Sequence, residues 1–167
     1  MSYQSPISPG LSWYEATVGE RPQYPSLDGD RRVDIAIVGG GFTGLSAAAH
    51  LAKAGVDVAL IEAHRFGDGA SGRNGGQLGT GQRAWAEELE AELGFTRAKA
   101  LFDLAEEAKA HLFDFTSANR IEIDYRPGQL SVVHKPRYLD EYRRHADIMR
   151  DKFGYPHIAY MDAAETA

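Results

Sequence analysis

Several features that mark particular protein classes are missing from this chain of 167 residues. It has no cysteine, and its six histidines show no H-x-x-x-H pairing, so we expect neither disulfides nor a metal site. No apolar run approaches the roughly 18 residues of a membrane span, and residues 1–10 lack the basic start and apolar core of a signal peptide. With 18 basic against 24 acidic residues, the net charge of -6 disfavours nucleic acid and anionic membranes as partners. We therefore expect a cytoplasmic globular protein.

Glycine, by contrast, is plentiful, and three glycines follow a short apolar run. Residues 34–38 are rich in β-branched side chains, which is typical of a buried parallel strand. Gly39, Gly41 and Gly44 then occupy the three positions of the pattern G-x-G-x-x-G. The first permits a tight turn, the second lets a pyrophosphate approach the backbone, and the third lets a helix pack closely on the strand. This order of features predicts a dinucleotide site.

The chain beyond these glycines completes a βαβ unit. Residues 45–52 carry small apolar side chains at helical spacing, Gly55 ends the helix, and residues 56–61 form a second apolar run. Glu62 lies at the carboxyl end of that run, where a carboxylate can accept hydrogen bonds from both ribose hydroxyls of an adenosine. It would repel a 2′-phosphate, which argues against NADP. The unit by itself leaves FAD and NAD both open.

The next segment favours FAD. Seven glycines lie within residues 67–81, with Arg73 and Asn74 among them. An NAD-binding domain is expected to enter another regular helix here, whereas a long loop of small polar residues suggests backbone lying against a large flat ligand. A flexible linker is the alternative, although arginine and asparagine are unusual in a pure Gly/Ser spacer.

Residues 69–77, Gly-Ala-Ser-Gly-Arg-Asn-Gly-Gly-Gln, follow the motif Gly-Gly-Gly-Phe-Thr-Gly-Leu-Ser-Ala-Ala and a strand that ends in Ile61-Glu62-Ala63. In these motifs the chain closely resembles the D-amino-acid-oxidase-like FAD-dependent oxidoreductases. It is most similar to their gamma-glutamylputrescine oxidoreductase branch, which the leader Trp-Tyr-Glu-Ala-Thr (13–17) also matches. The resemblance implies FAD as cofactor, a small amine or amino acid as substrate, and hydride transfer from the C–H next to the amine, which yields an imine.

The resemblance also implies a set of cofactor contacts. The glycine turn would cradle the diphosphate, Glu62 would bind the adenosine ribose, and the loop after Gly69 would pass the diphosphate and lie along the flavin ring. The expected cofactor-binding residues are Gly39, Gly41, Phe42, Thr43, Gly44, Glu62, Ala63, Ser71, Gly72, Arg73, Asn74, Gly75 and Gly76. No catalytic residue is identified in the chain.

The order of elements predicts an α/β fold. Residues 1–32 form an N-terminal arm with Trp13 and Tyr14 as its anchors, and residues 33–83 form a Rossmann-like FAD-binding βαβ unit with its glycine-rich loop. Residues 84–167 are expected to be the incomplete start of an α+β substrate domain.

Within that second domain the pattern predicts three helices, a hairpin and a strand. The helices cover residues 84–93, 96–118 and 136–153, the hairpin residues 121–134, and the strand residues 158–161. The expected core stripes are Leu101, Leu104, Ala105, Ala108, Leu112 and Phe115 on the second helix, and Leu139, Tyr142, Ala146, Met149 and Phe153 on the third.

The end of the chain carries a helix-start signal. Asp162 and Glu165 have the spacing of a helix cap, yet the chain ends at Ala167. Oxidoreductases of the resembled kind are much longer, so we expect an N-terminal portion that is inactive by itself and binds FAD weakly at best. A non-catalytic truncated FAD-binding module, or one half of a split enzyme with a C-terminal partner chain, remains open. An NAD-dependent dehydrogenase is disfavoured by the glycine-rich loop.

Overall fold

The computed structural model describes residues 5–7 and 10–166 of the chain. The contacts within the chain define two compact units, Met1–Gln77 and Leu78–Ala167, and the division falls inside the glycine-rich segment. None of the helices in these described ranges is both long enough and apolar enough to cross a membrane.

The first unit contains a parallel βαβ arrangement. After a short helix α1 (Trp13–Thr17), strand β1 (Ile35–Val38) leads into helix α2 (Phe42–Lys53), and strand β2 (Val58–Ile61) follows. β1 and β2 pair in parallel, with Ile35 opposite Val58 and Val38 opposite Ile61. α2 packs on both strands. The predicted order of strand, glycine turn, helix and strand is confirmed, which gives a mixed α/β structure.

The burial predicted for β1 is wrong. Ile35 is 38% exposed and Val38 is 86% exposed, although both are apolar residues of a parallel strand. Among the described residues the sheet consists of β1 and β2 only, with α2 as the helix that packs on it. A parallel strand is buried on both faces only when both faces of the sheet are covered.

The second unit is mainly helical. It contains α3 (Ala86–Leu93), α4 (Phe95–Ala118) and α5 (Leu139–Asp151), and a 3₁₀ turn, Pro136–Tyr138, precedes α5. Its core consists of Ala86, Ala98, Phe102, Met149 and Phe153. The rings of Phe102 and Phe153 meet edge to face at 5.7 Å. The three predicted helices are therefore confirmed, with small shifts at their ends.

The two predicted core stripes differ in outcome. On α5, Ala146 and Met149 are buried, as is Phe153 just beyond it, so that stripe is largely correct. On α4 the predicted stripe is wrong: Leu104 is 58% exposed and Leu112 is 41% exposed. The core instead receives Ala98 and Phe102, because α4 meets its partners through its N-terminal part along a neighbouring row of side chains. Helical periodicity shows that a helix has an apolar side but not which row meets its neighbours.

The predicted hairpin and the last strand are also wrong. Residues 121–134 and 158–161 form no strand within the described chain. Apolar residues of the expected hairpin remain exposed, among them Leu130 at 59% and Val132 at 71%. A two-stranded hairpin whose apolar face is not packed against another layer is at best marginally stable.

Candidate cofactor site

The turn between β1 and α2 depends on glycine at two positions. Gly39 has a φ of +103°, a conformation that favours glycine, and its N–H donates to the Ile61 carbonyl oxygen at 2.8 Å. A Cβ on Gly44 would overlap the carbonyl oxygen of Gly39. The first turn of α2 can therefore lie this close to the end of β1 only because Gly44 has no side chain.

This close packing gives a stability prediction for Gly44. We expect Gly44→Ala to lower the free energy of unfolding by about 1–3 kcal/mol, the usual cost of overpacking a site that cannot yield. Gly79→Ala is the matched control, because a Cβ there meets nothing within 4 Å and its φ lies outside the left-handed region. Chemical denaturation of wild type and both variants measures the change in the free energy of unfolding. Equal midpoints would show that α2 can shift away from β1 at little cost.

The start of α2 meets the glycine-rich loop. The Phe42 N–H, first in the helix, donates to Ser71 Oγ at 3.0 Å. Ser71 lies in a 3₁₀ turn, Ala70–Gly72, and a Cβ on Gly72 would overlap the carbonyl oxygen of Gly67. Two segments that are about thirty residues apart in the sequence are thus brought together at a helix N-terminus, where N–H groups and the helix dipole favour an anion.

Glu62 lies at the end of β2, beside the glycine turn. Its Oε2 accepts from the Gly40 N–H at 2.6 Å, and its Oε1 accepts from the His64 N–H at 3.0 Å. The hydrogen bond from Gly40, followed by that from His64, lowers the pKa of this carboxyl below its ordinary value of 4.5. Glu62 is therefore ionised at neutral pH. Each oxygen keeps a lone pair available for a further donor.

The remaining predicted contacts differ in their surroundings. The Arg73 guanidinium group donates hydrogen bonds within the first unit. Its Nε donates to the Asp68 carbonyl oxygen at 2.7 Å, and its Nη2 donates to the Gly10 carbonyl oxygen at 2.6 Å. Asn74 Oδ1 accepts from the Gly76 N–H at 2.8 Å, which shapes the loop. The other predicted residues, Thr43, Ala63 and Gly75, are exposed.

A cavity of about 410 Å³ lies between the N-terminal arm and these loops. Its lining includes Phe42, Ser71 and Asn74 from the predicted site, and Tyr14 and Glu15 from the arm. The sequence pattern did not indicate Glu15, and Trp13, which was expected to anchor the arm, is 77% exposed. The predicted role of Trp13 is therefore wrong, because a solvated indole ring contributes little apolar burial.

These features define a nucleotide-type site on a βαβ unit, and comparisons with known proteins identify its class. The model of the FAD dependent oxidoreductase family matches residues 34–167, so the chain belongs to that family. The chain is 57% identical over 166 residues to the probable oxidoreductase OrdL of Rhizobium meliloti (strain 1021), an alignment that covers 99% of this chain and 39% of the relative.

A more distant relative has a more specific name. The chain is 34% identical over 152 residues to the gamma-glutamylputrescine oxidoreductase of Escherichia coli (strain K12), which covers 91% of this chain and 35% of the relative. The chain thus spans less than two fifths of the length of either relative. No solved structure matches it.

The residues present fit the FAD on which this family depends. The α2 N-terminus favours an anion such as a diphosphate, and Gly41, its N-cap residue, presents no side chain there. The ionised Glu62 offers acceptors to a ribose. Ser71 Oγ at the helix start can rotate to donate to a phosphate oxygen.

Proposed function

We propose that this chain is the N-terminal, FAD-binding portion of a flavin-dependent oxidoreductase that acts on the C–H bond next to an amine. The observation that carries the proposal is the meeting of three groups on one Rossmann-like βαβ unit. These groups are the N-terminus of α2, the Ser71 turn that contacts it and the ionised Glu62. The relative named gamma-glutamylputrescine oxidoreductase supports an amine as the substrate class.

Each group would hold a different part of the cofactor. Gly39, Gly41 and Gly44 would cradle the diphosphate, together with the Thr43 N–H and with Ser71 Oγ, which accepts from the Phe42 N–H. Glu62 would accept hydrogen bonds from the adenosine ribose, next to the exposed Ala63. Ser71, Gly72 and Arg73 would pass the diphosphate, and Asn74, Gly75 and Gly76 would lie along the flavin ring.

The residues of this chain would bind and orient the FAD, and the FAD would provide the redox chemistry. Bound FAD supplies an acceptor for the hydride that leaves the carbon next to the amine. Glu62 adds selectivity, because its negative charge repels a ligand with a 2′-phosphate. The helix dipole of α2 would stabilise the negative charge of the diphosphate at the helix N-terminus.

A second candidate is a FAD-binding module that works with a separate C-terminal partner chain, as one half of a split enzyme or as a non-catalytic unit. The exposed strand β1 favours it, since Val38 is 86% exposed and Ile35 is 38% exposed. Apolar strand positions of this kind gain stability when another element covers them.

The purified chain mixed with FAD tests the proposed function. Because the chain alone is expected to bind FAD weakly, FAD is titrated with it under equilibrium conditions and followed by flavin fluorescence. We expect saturable binding at no more than one FAD per chain. Isothermal titration with NAD is the control, and we expect no saturable heat from it. Saturable NAD binding without FAD binding would replace the proposal with a nicotinamide site. Amine turnover by the purified chain would exclude the second candidate, in which a separate C-terminal partner chain is needed or the unit is not catalytic.

A further inference from the structure

Ion pairs made by one carboxylate, with a hydrogen bond from Arg21, connect the N-terminal arm to residues 65 and 66, just before the glycine-rich loop. Glu15, in α1, pairs through one carboxylate oxygen with Arg21 and through the other with Arg65. Its side chain is only 8% exposed. Arg21 also donates from Nη2 to the Phe66 carbonyl oxygen at 2.6 Å. One buried carboxylate thus joins the arm to the segment that follows β2.

A second set of polar contacts connects the arm to the loop at Asp68 and Arg73. The Asp68 side chain, 4% exposed, accepts from Ser5 Oγ at 2.9 Å and faces Arg73 Nη2 at 3.3 Å. Arg73 Nη2 in turn donates to Ser5 Oγ at 2.8 Å and to the Gly10 carbonyl oxygen at 2.6 Å. The arm therefore contacts the loop on both sides of the 3₁₀ turn that carries Ser71.

The arm also forms one wall of the cavity described above. Tyr14 and Val18 line the cavity together with Phe42, Ser71 and Gly76. The Tyr14 hydroxyl lies so close to Gly76 that a Cβ there would be 2.7 Å from it. The two polar links hold this wall in position opposite the start of α2.

We propose that the N-terminal arm is part of the cofactor site, and that Glu15 is a positioning residue that acts through Arg21 and Arg65. By joining these two guanidinium groups, Glu15 holds segment 65–73 so that Ser71 lies against the α2 N-terminus. Without that carboxylate, the Arg21 and Arg65 guanidinium groups, whose side chains are 27% and 31% exposed, lose the counter-charge that they share. The loop then loses its fixed position, and the diphosphate loses a preformed cradle. This inference rests on the proposed function, since it assigns FAD to the cavity.

The test compares Glu15→Gln with Glu20→Gln, an exposed acid in the same arm. Hydrogen exchange without FAD is measured at loop amides that donate within the loop or to the glycine turn, those of Gly67, Gly72 and Arg73. We expect Glu15→Gln to speed their exchange while the amides in the C-terminal half of α2, in the same unit, are unchanged. We also expect it to raise the FAD dissociation constant about tenfold, because the loop must then be ordered when FAD binds. Glu20→Gln should change neither quantity.

Glu15→Asp keeps the charge and shortens the side chain, so we expect partial recovery of both loop protection and FAD affinity. Equal loop exchange in Glu15→Gln and wild type would overturn the positioning role. Faster exchange at the loop and in the C-terminal half of α2 together would also overturn it, since that pattern marks a general loss of stability of the first unit. Absence of FAD binding by the wild-type chain would instead refute the proposed function, while the exchange comparison still decides whether the arm holds the loop.

Discussion

Replacing Gly41 with valine is expected to leave a folded chain that binds FAD at least about 100-fold more weakly. The substitution suits the backbone, because Gly41 has φ −82° and ψ −173°, a region that valine readily adopts. A Cβ there would lie 2.9 Å from Ser71 Oγ, which can rotate away at the cost of its hydrogen bond from the Phe42 N–H. The added methyl groups would, however, occupy the approach of the diphosphate. Loss of two charge-assisted hydrogen bonds, each about 1.5–3 kcal/mol, accounts for the expected factor.

Gly69→Val is the matched control for this variant. Gly69 lies in the neighbouring loop with φ −79° and ψ −150°, and a Cβ there meets nothing within 4 Å. We expect it to keep wild-type FAD affinity, whereas Gly41→Val keeps the thermal midpoint and loses affinity. An FAD dissociation constant in Gly41→Val equal to that of wild type would mean that the diphosphate lies elsewhere.

The sequence predicted the βαβ unit well because its determinants are local. A short β-branched run, glycines with fixed spacing and a helical repeat each specify the backbone within a few residues. β1, α2 and β2 therefore lie where expected. The position of Glu62 beside the glycine turn follows from the parallel pairing of the two strands.

The arm could not be predicted in the same way. Glu15 and Arg65 are 50 residues apart, and an ion pair across that separation leaves no periodic trace. Hydrophobicity favoured Trp13 as the anchor, yet Trp13 is 77% exposed and the charged side chain of Glu15, two positions later, is only 8% exposed. A charged side chain is buried when its partners are present, and only the folded structure brings those partners together.

The errors in the second unit have a similar origin. α4 has apolar side chains on more than one row, and the contact with its neighbours selects Ala98 and Phe102 rather than Leu104. The alternation in residues 121–134 predicts strands only if a second layer packs on their apolar face. The buried row of α4 and the formation of strands in residues 121–134 both depend on neighbouring elements rather than on the local sequence pattern.

Glu62→Ala is expected to weaken FAD binding by roughly 10- to 150-fold, which corresponds to the loss of a charged acceptor worth about 1.5–3 kcal/mol. The carboxylate already accepts from Gly40 and His64, which holds it beside the glycine turn, and each oxygen can accept a further hydrogen bond from a ribose hydroxyl. Titration with FAD gives the affinity, and thermal unfolding without FAD shows whether the turn survives.

Glu62→Gln and a pH series separate the charge of this side chain from its shape. The amide keeps one acceptor, so we expect an affinity between those of wild type and Glu62→Ala. Because the folded state lowers the pKa of Glu62, its ionised form stabilises the fold above the ordinary pKa of 4.5. That contribution is lost as the pH falls through the lowered pKa. Glu62→Ala should therefore lose less stability than wild type between neutral pH and that acidic range. An unchanged FAD dissociation constant in Glu62→Ala, at equal thermal midpoint, would remove Glu62 from the cofactor site.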